Sequence, residues 1–129
     1  MQRFKTRPQF QAALAGKLVA KSTHFALHRA ELDDPADVNM LRLFSVSDVW
    51  MGAMAPKRWA KRAVTRNAIK RQIYTVCMHF QREFPKAAFL VRLRREFSRQ
   101  EFSSASSAAL KESVRAELLV LMRSASIAK

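Results

Sequence analysis

Residues Ala55–Tyr74 read APKRWAKRAVTRNAIKRQIY. Pro56 lacks the N–H that a strand ladder requires, so an extended run before it must end there. Beyond it the apolar period lengthens. Ile69, Ile73, Val76, Cys77 and Phe80 fall at i, i+4, i+7, i+8 and i+11, the buried stripe of a helix over roughly 61–82. The stretch therefore joins a strand to a long helix. It also carries seven basic residues, Lys57, Arg58, Lys61, Arg62, Arg66, Lys70 and Arg71, and no acid. No Asp or Glu occurs between Asp48 and Glu83. A solvated helix face ordinarily mixes charge signs, so this one reads as a face awaiting an anion.

On the N-terminal side, Val49–Ala55 reads as a strand, within an extended region that begins at Leu41. Glu31–Asn39, ELDDPADVN, holds four acids, a Pro and an Asn and reads as a loop. Leu18–Arg29 reads as extended, with Phe25 and Leu27 on one face and His24 and His28 on the other. Thr6-Arg-Pro-Gln9 is a capping box opening a short helix, with Pro8 in its first turn. Phe10, Ala13 and Leu14 share a face of that helix, and Gly16 is its expected terminator. On the C-terminal side, Pro85 closes the long helix, and Ala87–Arg94 reads as a strand with Phe89, Val91 and Leu93 together. A Ser-rich loop leads to a last helix, about Ala105–Ser124, striped by Leu110, Val114, Leu118, Leu121 and Met122. The order is helix, two or three strands, helix, strand, helix, which predicts one α+β sandwich domain over residues 1–129.

Composition narrows the function. The chain has 129 residues, 49% hydrophobic with nine Phe, enough for a real core. Its net charge of +14, from 24 Lys and Arg against 10 acids, suits a polyanionic partner. The single Cys77 excludes an internal disulfide, and its place in the apolar stripe makes it a core residue rather than a nucleophile. Met1–Arg7 is not followed by a signal-peptide apolar run, and Leu118–Met122 is too short to span a bilayer, so a soluble cytoplasmic protein is expected.

Self-sufficient catalysis is not expected. His24 and His28 stand at i and i+4, but on a strand they would lie about 13 Å apart, so no protein metal site is expected. The acids do not cluster as a Mg²⁺-holding nuclease needs. With only Gly16 and Gly52, there is no Gly-rich phosphate loop. What remains is binding. Asn67, Arg71 and Tyr74, at i, i+4 and i+7 and flanked by Lys70, place cationic, amide and aromatic groups on one ridge, a composition for phosphates and unpaired bases. Arg66 falls nearer the edge of the apolar stripe. A DNA-recognition helix would need a short helix and tight turn before it; a Val-led strand and Pro56 stand there instead. Composition alone favours a generic RNA-binding or ribosome-associated protein.

The motifs are more specific. Gly52, Pro56-Lys57-Arg58, Ala63-Val64, Arg66-Asn67-Ala68 and Ile69-Lys70-Arg71 resemble the protein component of bacterial ribonuclease P. Phe4-Lys5, Phe10, Leu14 and Gly16, then Phe25–His28, match that family's opening helix and next strand. Three departures stand out. Ala68 replaces the last member of an Arg-Asn-Arg signature, one extra residue separates Gly52 from Ala63, and the segment between His28 and Gly52 is longer than usual.

The resemblance implies a left-handed βαβ crossover around the long helix. It implies the protein subunit of an endonuclease whose RNA subunit, with bound Mg²⁺, removes the 5′ leader of precursor tRNA. Lys57, Arg58, Lys61, Arg62, Arg66, Asn67, Lys70, Arg71 and Tyr74 would then bind RNA. Phe10, Leu14 and His28 would line a cleft for the single-stranded leader, Leu14 and His28 standing where larger aromatics are common. Phe10 has a second reading, as a cap on the core.

Overall fold

The computed structural model describes residues 1–33, 39–97 and 108–127. Along the chain run β1 (Gln2–Arg3), α1 (Arg7–Leu14), β2 (Lys17–Lys21), β3 (Phe25–Ala30), α2 (Met40–Leu43), β4 (Trp50–Met54), α3 (Ala63–Phe80), β5 (Ala88–Leu93) and α4 (Ala108–Ile127). A turn of 3-10 helix at Gln81–Glu83 continues α3. The strands form a five-stranded mixed sheet in the order β1-β4-β5-β3-β2. β1, β4 and β5 run parallel; β3 is antiparallel to β5, and β2 to β3. This is the α+β sandwich that the sequence predicts.

Alternation along the central strands sorts their side chains onto two faces. Met51 and Ala53 of β4, with Phe89, Val91 and Leu93 of β5, meet Ile69, Ile73, Val76, Cys77 and Phe80 of α3. Leu110, Val114, Leu118, Leu121 and Met122 of α4 close the same core. Both helical stripes read from the sequence are thus the buried faces. The intervening residues Trp50, Ala88 and Leu90 join Phe4, Ala13, Met40 and Phe44 in a second core under α1 and α2.

The capping box forms as expected: the Thr6 hydroxyl accepts the Gln9 N–H, and the Gln9 side chain accepts the Thr6 N–H at 3.1 Å. Gln9 Nε2 also donates to the Leu43 carbonyl at 2.7 Å, tying α1 to α2. Gly16 is not a left-handed cap, since no described residue has positive φ. The reason for glycine is close approach: a Cβ there would lie 2.2 Å from the Arg29 carbonyl oxygen. Gly52 serves likewise, because a Cβ would stand 2.3 Å from the Phe4 ring that lies against β4.

Three expectations are corrected. Leu18–Arg29 is not one extended run but the β2–β3 hairpin, closed by the Ser22 N–H to the Phe25 carbonyl at 2.8 Å. The region from Leu41 is not extended at first; Met40–Leu43 is helical, because Met40 and Phe44 at i and i+4 both bury in the second core. The chain also opens on a strand, β1, which the expected order lacked. The predicted start of the last helix at Ala105, the Ser-rich loop before it, and residues 34–38 of the acidic loop lie outside the described residues.

Glu117 fastens α4 to the hairpin. Its carboxylate accepts the Ser22 hydroxyl and the His24 N–H, the latter at 2.7 Å, and meets His24 Nδ1 at 2.7 Å. Burial alone would raise this carboxyl's pKa, but the hydrogen bonds from Ser22 and His24 together outweigh it and hold it below its ordinary value. A group depressed in this way contributes stability above its unfolded-state pKa and loses it as pH falls through the folded-state value. Hydrogen-exchange protection of the His24 amide, corrected for intrinsic rate, should therefore fall on acidification. Glu117→Gln should abolish that pH dependence; a persisting one would assign it to another carboxyl.

Candidate nucleic-acid interface

The basic stretch forms a turn and then a bare helix end. Trp59 and Ala60 donate their N–H groups to the Pro56 carbonyl at 3.0 and 3.1 Å, so Pro56 both ends the strand and anchors the turn. Lys57, Arg58, Lys61 and Arg62 are exposed around it. The Arg58 guanidinium lies 5.1 Å from the centroid of the Trp59 ring. Arg62 occupies the N-cap of α3, offers no capping oxygen, and no acid follows in the first turn. The positive end of the helix dipole therefore adds to four cations instead of being offset.

Arg66 has another task. Its Nη1 donates to the carbonyls of Ala60 and Lys61 at 3.1 and 2.8 Å, pinning the basic turn to the first turn of α3. This agrees with its place at the edge of the apolar stripe. Asn67 and Arg71 face away from the core and line a groove of about 380 Å³ between α3 and α4, together with Val64, Gln72, Thr75 and Lys111. Ala68, where the family signature carries Arg, is buried in the wall of this groove. Lys111 was not singled out in the sequence, where nothing but its place beside Leu110 on the last helix marks it.

Tyr74 leaves the expected ridge. Its hydroxyl accepts the Ala53 N–H at 3.2 Å, and the Arg3 guanidinium sits 4.2 Å over its ring. Burial pushes its pKa up. The cause is topological: β1 pairs with β4 only as far as Met51, and Tyr74 satisfies the next outward N–H of β4. Lys70, half-buried four residues earlier, shares that flank by helical period. The structure thus gathers Asn67, Arg71 and Lys111 on one flank of α3 and leaves Lys70 and Tyr74 on another.

Across the sheet, Phe10 and Leu14 stand on α1, which packs over β3 and β5. Phe10 is half-buried against the second core, its ring 5.2 Å from that of Phe4 at 79°. Leu14 is 40% exposed. His28 lies in β3, only 8% exposed, and pairs across the ladder with the exposed Leu18. Its Nε2 accepts the Arg92 Nε–H at 2.9 Å. Burial first, and then the Arg92 charge, hold its pKa below the ordinary value, so the ring is neutral at pH 7. Leu18 and Arg92 stand beside His28, one of the residues that the family resemblance assigns to a leader cleft. Alternation alone puts Arg92 opposite Val91 and Leu93, but only the strand register brings it beside His28.

Three of the described carboxylates have structural partners. Glu31 pairs with Arg29 at 2.7 Å, Asp48 meets the N-terminal ammonium at 3.4 Å, and Glu117 holds the hairpin. No group of three or more His, Cys, Asp or Glu able to hold a metal occurs among the described residues. Burial pushes the Cys77 thiol far above its ordinary pKa, which leaves it a core group. No described helix is long and apolar enough to cross a membrane.

Comparison with known proteins converges on one family. The family model for ribonuclease P matches residues 1–117. The ribonuclease P protein component of Bordetella parapertussis is 34% identical over 110 residues, covering 85% of this chain and 80% of that protein. That of Bordetella petrii is 32% identical over 85 residues, 66% of this chain and 63% of the relative. Among solved structures, the RNase P protein of Staphylococcus aureus superposes with a TM-score of 0.65 at 17% identity, covering 95% of this chain and 94% of that one.

Proposed function

The chain belongs to the ribonuclease P protein family, and on that premise we propose that it acts, as one domain, as the protein subunit of a ribonucleoprotein endonuclease. In this reading it binds the catalytic RNA and the 5′ leader of precursor tRNA, and the RNA with its Mg²⁺ removes the leader. The observation that carries it is the acid-free run of sequence from Lys57 through Arg71, whose exposed cations flank an uncapped helix N-terminus. In this reading Mg²⁺ is held by the RNA and the substrate; among the described residues no group of three or more His, Cys, Asp or Glu is placed to hold a metal ion. The protein's own contribution is positional: cations offset phosphate repulsion as RNA and substrate approach, and the α1 cleft holds the leader. The site of action is the cytoplasm.

We also infer a left-handed β4–α3–β5 crossover. Trp50 turns its side chain toward the α1 face while its N–H donates to the Ala87 carbonyl at 2.9 Å. Seen from that face with β4 running upward, an L residue so posed has its N–H to the right. β5 then lies to the right of β4 with α3 behind the sheet, opposite to the usual connection.

The test is cleavage of a precursor tRNA by a bacterial ribonuclease P RNA at low Mg²⁺, with and without the protein. Mature 5′ ends should appear only when both subunits are present. RNA binding without any lowering of the Mg²⁺ requirement would instead favour a generic RNA-binding protein, and cleavage by rigorously RNA-free protein would overturn the division of labour.

A further inference from the structure

We propose that Arg92 is the phosphate-binding residue of the cleft beside α1, and that His28 is the positioning residue that aims it. The proposal rests on the leader-binding reading above and names the chemistry of that site. Leu90 points into the second core, so Arg92, two residues on, projects from the same face of β5. Its register partners are Ala26 on β3 and Met54 on β4.

The hydrogen bond fixes the protonation pattern. Arg92 Nε can only donate, so His28 Nε2 must accept, and the neutral imidazole carries its proton on Nδ1. The pair therefore bears a single charge, carried by the guanidinium. Among the described residues that charge has no carboxylate partner within ion-pair distance: the ion pairs formed are Arg29–Glu31, the N-terminal ammonium with Asp48, and His24–Glu117. A half-buried cation without a counter-ion, held at one nitrogen by a buried ring, keeps its two terminal nitrogens for an incoming anion. That fork matches a phosphate in a way a lysine ammonium does not.

The apolar residues elsewhere on that face of the sheet determine which phosphate. Phe10 and Leu14 offer apolar surface on α1, and Leu18 extends it on β2. Bases laid on that surface with one backbone phosphate on Arg92 give a grip on single-stranded RNA that ignores sequence. His28 works through Arg92 and touches no substrate atom.

The experiment measures binding of the assembled holoenzyme to precursor and mature tRNA across a salt series. Arg92→Gln should weaken precursor binding about fivefold at 0.1 M salt and lower the log–log slope by about 0.7, the value for one single-strand phosphate. Mature tRNA binding should not change. His28→Leu should reproduce the precursor defect, His28→Gln should restore binding by supplying an acceptor oxygen, and His28→Leu should add nothing in an Arg92→Gln background. Thermal unfolding checks that each variant is folded. If His28→Leu does not fold, Arg92→Lys serves instead: it keeps the charge but not the fork, and should lose discrimination while retaining the slope. Two outcomes overturn the proposal: a folded Arg92→Gln that discriminates like wild type, or multiplicative losses in the double variant. Failure of the wild-type holoenzyme to discriminate precursor from mature tRNA would instead overturn the leader-cleft reading itself.

Discussion

Replacing both Lys70 and Arg71 by alanine should weaken binding to a ribonuclease P RNA about 25- to 60-fold at 0.1 M monovalent salt. The figure follows from two lost phosphate contacts, each worth roughly 0.7 to 0.9 in the log–log salt slope. The slope should become shallower by about 1.4 to 1.8, and the difference should vanish toward 1 M salt. The fold should survive, because neither side chain belongs to a core cluster. The single variants add position to magnitude. Arg71 lines the α3–α4 groove with Asn67 and Lys111, whereas Lys70 shares the flank of Tyr74 and Arg3. A defect confined to Arg71→Ala would lay the RNA across the groove; one confined to Lys70→Ala would lay it toward β1. An unchanged slope in a folded double variant would move the footprint off α3 altogether.

How far the fold was legible depended on whether each element's signal was local. The capping box of α1, the stripe of α3, the alternation of β5 and the stripe of α4 are written in consecutive residues, and each appears where expected. β1 is two residues long and exists only because Gln2 and Arg3 find Trp50 and Met51, so no local pattern could reveal it. α2 is four residues long and helical because Met40 and Phe44 bury together under α1, a tertiary cause that overrides the apolar run around Leu41. Hairpin and strand differ only by the turn at Ser22–His24, and that turn lacks the Gly or Asn that usually announces one. The candidate site divides the same way. Sign and spacing of charge marked the basic surface. Helical period placed Tyr74 beside Asn67 and Arg71, yet it could not foresee that an unpaired strand N–H would claim the hydroxyl. Lys111 and Arg92 enter only through packing and register, which a pattern read one element at a time does not contain.

The other large effect is expected at Phe10, where the two readings of the sequence turn out to be compatible. One edge of the ring packs on Phe4 and the second core, yet the residue remains half-buried rather than closed in. On the leader-cleft proposal a ring fixed in this way would serve as a preorganised platform for a base, and base–aromatic stacking is worth about 1–3 kcal/mol. Phe10→Ala should therefore reduce precursor tRNA binding by the holoenzyme about five- to a hundredfold and leave mature tRNA binding unchanged, since only the precursor has a leader. The same truncation costs stability. A fully buried Phe→Ala loses about 3–5 kcal/mol, and a half-buried ring with one packed edge should lose less. Thermal unfolding must come first, with binding measured well below the transition. Phe10→Leu separates the two effects: it keeps most of the contact with Phe4 but removes the π-face, so it should stay near wild type in stability while losing precursor selectivity. Equal loss of both tRNA forms by folded Phe10→Ala would mean that the ring supports docking of the RNA subunit or the fold, and that the leader runs elsewhere.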